Sequence, residues 1–277
     1  MRVIKQILTK SETENTEKII NGLRSAMQEV ALAGLARAGF FDRAAFCGAN
    51  CLRIFNGLPR FSEGLHFCLL EPDANFPLES YFDVLWHEFA SLGMDVQISQ
   101  KKKPGRIYLE SAFLTNDSFY IDLSVLGEKT LTITFELYTQ PPRRFSIDEK
   151  ILQESLPFSV RCLSLSDLFV EKMHLLLFMD PTTRVNGREW FDFAWFVTNG
   201  VQLHLAHLID RSHQSGHLRA NEFSEQYLHH RLKQRISSID ISHVRKEVYP
   251  FIEEQGALNN WSKEYFHKLA YKLIIIR

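Results

Sequence analysis

The sequence predicts an α+β protein in which a mixed β-sheet flanked by helices is followed by a C-terminal helical bundle. Two patterns support this fold class. Apolar and polar residues alternate with a period of two through most of residues 94–138, which is typical of strands. From residue 164 onward the apolar residues recur at helical spacing instead. The segment "TQPPRR" (139–144) interrupts the sheet pattern, so we predict an α/β domain over residues 1–140 and a mostly helical domain over residues 141–277.

The individual elements follow from the spacing of apolar residues and from the residues that cap or interrupt it. Ser11 is a suitable N-cap for a helix over residues 11–38, and Gly39 is placed to end it. The next predicted elements are a strand, a short helix, a strand and a helix, at residues 44–47, 51–57, 65–70 and 77–92. Strands are then predicted at residues 94–99, 106–114, 119–126, 131–138 and 159–163. Helices are predicted from Ser164 or Ser166 through Leu176, and at residues 188–199, 201–213, 220–235, 241–255 and 260–275.

The composition restricts the classes of protein. The chain has 277 residues, a hydrophobic fraction of 45% and a net charge of −1, which is typical of a globular protein and excludes one that coats nucleic acid by overall positive charge. No apolar run approaches the roughly 18 residues of a membrane span, and the N-terminus lacks a signal-peptide core. We therefore expect a cytoplasmic protein with no membrane partner, in which the four cysteines are buried thiols.

Chemistry is suggested by the order strand, glycine, helix, strand over residues 44–70. A glycine directly after a strand lets a phosphate approach the backbone N–H groups that open the next helix, and Gly48 has this position. Carboxylates at alternate positions of the following strand would hold a divalent metal ion against the same phosphate. Gly64 and His66 occupy those positions here. Asp122, in the apolar strand "SFYIDLSV", is the candidate for a third carboxylate from a neighbouring strand; the alternative is a solvent-facing residue on a half-exposed sheet.

Two motifs carry a resemblance to a known family. The first is "GANCLRIFNGLPRFSEGLHF" (48–67), and the second lies within "LSLSDLFVEKMHLLLFMDPTTRVNGREWFDFAWFV" (163–197). They resemble the AbiEii/AbiGii-type toxins of bacterial toxin–antitoxin systems, which belong to the nucleotidyltransferase superfamily. That family reads Gly-Gly-Ser/Thr-Ala-Leu-Arg, then Arg-Phe-Ser-Glu-Asp-Leu-Asp-Phe, and later a lysine-containing helix that leads to Arg-Asp. The resemblance covers about residues 45–200.

The resemblance implies an activity, cofactors, partners and site residues. It implies transfer of a nucleotide from an NTP to an RNA, with tRNA as the expected acceptor. It also implies Mg²⁺ as the metal ion and a cognate antitoxin protein that restrains the activity. The implied catalytic residues are Asp122 and Lys172, and the implied metal residues are His66 and Asp122. The implied nucleotide-binding residues are Gly48, Ala49, Asn50, Arg60, Ser62, Lys172 and Arg188, with Glu189 and Asp192 as structural support.

The departures from the family pattern concern the metal and phosphate groups. Ala49 replaces the second glycine, Asn50 replaces the Ser/Thr, and Gly64 and His66 replace the paired aspartates. Neutral imidazole is a poor ligand for Mg²⁺, and glycine supplies no ligand atom. The expected outcome is weakened or lost transfer; the alternative function is an inactive nucleotidyltransferase-fold protein that binds a nucleotide, an RNA or a protein partner. A remaining option is Zn²⁺ or Mn²⁺ held by His66 and Asp122, because these ions accept imidazole.

Histidine pairs and a basic turn complete the candidates. His204 and His207, His213 and His217, and His229 and His230 have no acidic or cysteine partner at ligand spacing, so we interpret them as solvated helix histidines. The turn "KKKPGR" (101–106) is interpreted as solvated, with contact to RNA phosphate as the alternative.

Overall fold

The computed structural model describes residues 16–101, 118–125, 131–141, 144–153, 157–179, 187–218, 224–252 and 254–277. The predicted N-cap Ser11, the predicted strand at 106–114 and nearly all of the turn "KKKPGR" lie outside these residues.

Nine α-helices lie within the described residues. They are α1 (Thr16–Arg37), α2 (Gly48–Asn56), α3 (Phe82–Ser91), α4 (Leu165–Phe178), α5 (Gly187–Thr198), α6 (Leu205–Gln214), α7 (Glu225–Ser238), α8 (Ile241–Val248) and α9 (Lys263–Tyr271). Short 3₁₀ turns occur at Phe40–Asp42, Leu78–Tyr81, Tyr249–Phe251 and Gln255–Leu258.

Nine strands lie in the same described residues. They are β1 (Ala44–Cys47), β2 (Gly64–Leu69), β3 (Val96–Lys101), β4 (Ser118–Val125), β5 (Leu131–Tyr138), β6 (Ile147–Leu152), β7 (Phe158–Leu163), β8 (Gln202–His204) and β9 (Ile274–Ile276).

Strands β1–β7 form one mixed sheet in the order β3-β4-β5-β2-β1-β7-β6. The β2–β5 and β1–β7 pairs are parallel, and the other neighbours are antiparallel. Helices flank this sheet and then dominate the C-terminal part, so the predicted α+β fold class is confirmed. Strands β6 and β7 belong to the same sheet, which therefore continues across the predicted domain boundary at residue 140.

Three strands were not predicted from the sequence. Strand β6 is a sheet edge with half-exposed side chains, and its charged residues 148–150 conceal the alternation. Strands β8 and β9 are three residues each, pair in parallel, and fall within segments predicted as helix. A strand this short gives too few residues for a period of two to be recognised.

Helix α4 is the central element of the helical part. Every side chain from Asp167 to Leu177 is buried, because α4 packs against α2 on the sheet side and against α5 and α6 on the other. Its N-cap is Ser164, whose hydroxyl accepts a hydrogen bond from the backbone N–H of Asp167, as one of the two predicted alternatives. The charged residues of α4 are therefore forced to find partners inside the protein.

The four cysteines are all unpaired and buried, as predicted. None of the helices in the described part of the chain combines the length and apolarity needed to cross a bilayer.

Candidate functional site

The glycine turn lies at the junction of β1 and α2. Gly48 has a φ of 73°, a left-handed conformation that side chains other than glycine rarely adopt. Strand β2 runs antiparallel to β1 and pairs His66 with Cys47. A Cβ atom placed on Gly48 would lie 3.1 Å from both Cβ and Cγ of His66. The backbone angle and the imidazole both require glycine at position 48, and the structure brings Gly48 and His66 together.

A buried carboxylate lies beside His66. Strand β5 pairs in parallel with β2 and places Glu136 opposite His66. The imidazole Nδ1 of His66 lies 3.2 Å from Oε2 of Glu136 and 3.2 Å from the hydroxyl oxygen of Tyr138. Glu136 is only 2% exposed. Sequence reasoning missed this residue, although an acid within the apolar strand "LTITFELY" is the same signal that singled out Asp122.

The position of Asp122 corrects the sequence analysis. Asp122 was expected on the strand next to β2, but it lies on β4, and β5 separates β4 from β2. Its backbone partner is Thr134, which in turn pairs with Gly64. The carboxylate on the strand next to His66 is therefore Glu136, and the proposed metal pair of His66 and Asp122 does not come from neighbouring strands.

Asn50 has a structural role that its comparison with Ser/Thr did not predict. Its side-chain amide donates to the carbonyl oxygens of Ser62 and Gly64 at 3.1 and 2.6 Å, and its Oδ1 accepts from Nε of Arg53. Asn50 is fully buried. It therefore anchors the start of β2 to α2, and its hydrogen-bonding atoms are used by the protein. Ala49, also buried, follows Gly48 in the first turn of α2.

Three charged residues predicted as site residues form a buried cluster. Nε and Nη2 of Arg60 donate to the two carboxylate oxygens of Asp192 at 2.5 and 2.7 Å. Nζ of Lys172 lies 3.1 Å from Oδ2 of the same carboxylate. Burial acts to raise the pKa of Asp192, but the charges of Arg60 and Lys172 outweigh it and hold the pKa below its usual value. Asp192 thus supplies a counter-charge for both cations.

Arg188 lies in the contact between α5 and α8. Its Nε donates to Oε1 of Glu247 at 3.0 Å, and its guanidinium lies 4.5 Å from the centre of the Phe251 ring. Glu189, the next residue, is 1% exposed. A nucleotide would therefore have to compete with the Glu247 carboxylate for the Arg188 guanidinium.

The donor set around Gly64 and His66 does not fit Mg²⁺. This ion prefers several oxygen ligands in octahedral geometry, usually including more than one carboxylate or phosphate. The β2–β5 pair offers one carboxylate, that of Glu136, which is already in contact with an imidazole. Gly64 contributes no side-chain ligand. The side chains at this position therefore do not supply the ligand set that Mg²⁺ needs.

The site thus combines a glycine turn that opens a helix, an antiparallel strand across from that turn and two buried cations that share the Asp192 carboxylate. The class of the protein, a nucleotidyltransferase, is given by its family. A family model described as "Nucleotidyl transferase AbiEii toxin, Type IV TA system" matches residues 30–266. The chain belongs to this family, which confirms the resemblance and its toxin–antitoxin setting.

Two bacterial proteins are among the solved structures to which this chain is similar. JHP933 from Helicobacter pylori is 14% identical, with 91% of this chain and 89% of that chain covered and a TM-score of 0.49. MenT4, a nucleotidyltransferase toxin from Mycobacterium tuberculosis H37Rv, is 13% identical, with 98% and 99% covered and a TM-score of 0.48. No curated protein sequence matches the chain.

Proposed function

We propose that this protein binds a nucleoside triphosphate at the Gly48 turn and transfers its nucleotide to an RNA, with tRNA as the acceptor, far more slowly than a relative with paired carboxylates at positions 64 and 66. The observation that supports slow transfer is the contact of His66 with Glu136 beside a glycine at position 64. The RNA acceptor and the cognate antitoxin follow from the family resemblance, and the rate follows from the donor set.

Triphosphate binding relies on groups that the chain retains. The backbone N–H groups that open α2 follow Gly48 directly, and the helix dipole favours an anion there. Arg60 and Lys172 share the single carboxylate of Asp192, so these three groups carry one net positive charge. A phosphate group that approaches this cluster would be attracted to the Lys172 ammonium and the Arg60 guanidinium.

The rate follows from what phosphoryl-transfer enzymes supply. They act mainly by positioning and by neutralising charge on the transferring phosphate, and a bound metal ion supplies several kcal/mol of that stabilisation. Loss of a fitting metal site therefore slows transfer by about 10³-fold or more. Lys172 and the Gly48 turn remain to orient the phosphate, so binding is retained while turnover falls.

The test compares the wild-type chain with the double variant Gly64→Asp/His66→Asp. Both are incubated with labelled NTPs, total tRNA and either Mg²⁺ or Mn²⁺, and transfer of label to RNA is measured. We expect the double variant to be at least about 10²-fold faster than the wild type. A triple variant that adds Lys172→Ala serves as the matched control and should lose this gain. Equal rates for wild type and double variant would contradict the donor-set argument.

The second candidate is a nucleotide-binding protein without transferase activity. It is favoured by the same histidine, because the His66 imidazole lies against the Gly48 turn and satisfies Glu136 without any ion. The wild-type chain would then bind a fluorescent NTP analogue in the presence of chelator and give no labelled RNA with any metal. Labelled RNA formed by the wild-type chain with any metal would exclude this candidate.

A further inference from the structure

A buried cluster of titratable groups lies where α4 meets β8 and α6, and it uses none of the residues of the Gly48 site. Asp167, in the first turn of α4, is fully buried. Its Oδ2 accepts hydrogen bonds from the backbone N–H of Ser146 at 2.7 Å and from the hydroxyl of Ser164 at 2.8 Å. Its Oδ1 lies 3.0 Å from Nδ1 of His204 and 2.7 Å from Nδ1 of His207. Oδ2 of Asp167 is thus hydrogen-bonded to Ser146 and Ser164, whereas Oδ1 faces the two imidazoles.

A buried carboxylate is costly unless a positive group lies nearby. The two imidazoles that face Oδ1 of Asp167 supply that positive group either by carrying a proton or by sharing a metal ion with the carboxylate.

The histidines correct the interpretation made from the sequence. His207 was expected on a solvated helix face, but its side chain is fully buried. His204 ends β8 and precedes α6, with a side chain that is 24% exposed. Their acidic partner, Asp167, comes 37 and 40 residues earlier in the chain and was therefore outside any local ligand spacing.

The Nε2 atom of His207 is buried without a hydrogen-bond partner among the described residues. Nε2 of His207 lies 3.8 Å from Oε1 of Glu171, and neither atom has a hydrogen-bond partner in the described part of the chain. A neutral imidazole carries one proton. With the proton on Nδ1, the lone pair of Nε2 faces the Glu171 carboxylate; with the proton on Nε2, the lone pair of Nδ1 faces Asp167. A neutral His207 therefore leaves one of its two carboxylate contacts unsatisfied.

A metal ion on the Nδ1 side resolves this conflict. It would accept the lone pairs of Nδ1 from both histidines and of Oδ1 from Asp167. The proton of His207 would then occupy Nε2 and be donated to Glu171. Metal-bound histidines commonly donate their second nitrogen to a carboxylate in this way, which fixes the tautomer and the ring orientation.

We propose that Asp167, His204 and His207 form a binding site for a divalent transition-metal ion, with Zn²⁺ as the expected ion. Glu171 would position the His207 ring. Two imidazoles and one carboxylate suit Zn²⁺, whereas Mg²⁺ and Ca²⁺ prefer oxygen alone. The three ligand atoms lie within 4.8 Å of one another. Metal–ligand bonds of about 2.0–2.1 Å place tetrahedral ligand atoms roughly 3.4 Å apart. To admit the ion, the 2.7 Å contact of Asp167 with His207 would lengthen by about 0.7 Å and the 3.0 Å contact with His204 by about 0.4 Å. The half-exposed His204 provides the entrance and the position for a fourth, non-protein ligand.

The bound ion would tie α4 to the consecutive elements β8 and α6, which follow it in the chain. It would add a direct link between the first turn of α4, the end of β8 and the first turn of α6, which already pack against one another. The competing account is a proton in place of the metal, with His207 as an imidazolium between Asp167 and Glu171. Both accounts satisfy the same atoms, and they differ in whether the chain binds zinc.

The experiment measures metal binding directly. Untagged protein is stripped with chelator and titrated with Co²⁺, whose ligand-field absorption reports tetrahedral coordination, and with Zn²⁺ in competition with a chromophoric chelator. We expect one Zn²⁺ per chain, displacement of Co²⁺ by Zn²⁺, and a rise in Tm of about 5 °C at free Zn²⁺ near 100 times Kd.

Matched variants distinguish this site from casual binding by other histidines. His204→Ala, which alters a half-exposed side chain, should weaken Zn²⁺ binding by at least about 100-fold and abolish the rise in Tm. His229→Ala, on the exposed face of α7, should leave both unchanged. Wild-type affinity within a few-fold of that of His204→Ala would overturn the proposal, as would Zn²⁺ binding without a change in Tm. Neither result depends on nucleotide transfer, so the transferase proposal is tested separately.

Discussion

The substitution Asp192→Asn should destabilise the protein strongly. The Asp192 carboxylate is fully buried, takes two hydrogen bonds from Arg60 at 2.5 and 2.7 Å, and lies 3.1 Å from Nζ of Lys172. Asparagine has nearly the same volume, so the change removes charge without creating a cavity. Two cations that are 3% and 7% exposed would then lose the negative charge that Asp192 supplies.

The magnitude follows from the cost of an uncompensated buried charge. Removing one partner of a buried ion pair typically costs about 3–5 kcal/mol. A shift of about 2–4 °C per kcal/mol is usual for domains somewhat smaller than this chain, so we expect Tm to fall by roughly 10 °C. Urea denaturation followed by circular dichroism measures the free energy of unfolding, and calorimetry measures Tm.

The matched control is Asp210→Asn. Asp210 pairs with Arg144 at 3.2 Å, but the Arg144 side chain is 69% exposed, so solvent screens the pair. Its loss should cost no more than about 1 kcal/mol. If Asp192→Asn is no more destabilising than this control, then the buried cluster does not stabilise the fold and our account of Lys172 and Arg60 is wrong.

The pH dependence gives a second readout of the same cluster. The pKa of Asp192 is lowered in the folded state, so its contribution to stability is fully present above the unfolded pKa of about 3.9 and is lost as pH falls through the folded value. The difference in unfolding free energy between wild type and Asp192→Asn should be constant near neutral pH and shrink below about pH 4. A difference that grows in acid would contradict the sign of the shift.

Glycine substitutions test two close approaches of the backbone. Gly48→Ala should cost about 2–4 kcal/mol, because a left-handed φ and contact with the His66 ring act together, whereas Gly57→Ala, with a φ of 77° and open space, should cost only about 1–2. Gly187→Ala should cost about 3 kcal/mol or more, because its Cβ would overlap the backbone carbonyl oxygen of Val244 in α8. Gly22→Ala, in α1 with nothing within 4 Å, should instead stabilise by about 0.5–1 kcal/mol. Chemical denaturation measures each value, and equal costs within either pair would contradict the contact argument.

The local order of elements around Gly48 could be predicted from the sequence because it depends on neighbouring residues. A short apolar run, a glycine and a helical pattern identify β1 and α2, and the structure has β1 at the predicted residues 44–47. These are short-range features, which local patterns specify well.

The identity of the carboxylate beside His66 could not be predicted in the same way. Asp122 and Glu136 each interrupt an apolar strand, and the two strands are consecutive. Only the order β4-β5-β2 decides which acid lies next to His66, and that order comes from a parallel pairing between segments about 70 residues apart. The alternation of apolar and polar residues predicts which side chains of a strand share a face, but it does not predict which strand lies next to it in the sheet.

The histidine cluster was missed for a related reason. Spacing rules search for ligands close together in the sequence, as in His204 and His207, and then require a second group at a familiar distance. Asp167 reaches them only because α4 and α6 pack together. Long-range helix packing therefore decides whether such a pair is solvated or buried.

The replacements at positions 64 and 66 are coupled through space, which yields a prediction about the order in which they can be reversed. A Cβ on Gly64 would lie 3.2 Å from Nε2 of His66, so Gly64→Asp alone should be crowded and cost about 1–3 kcal/mol. Adding His66→Asp removes the ring but sets two new carboxylates beside the buried Glu136, where like charges repel. The double variant should therefore be unstable without a divalent cation, and Mg²⁺ should raise its Tm by several degrees while leaving the wild-type Tm unchanged. If Mg²⁺ does not change the Tm of the double variant, then the side chains at positions 64, 66 and 136 do not bind one ion together. Gly64 and His66 would then not be the cause of slow transfer.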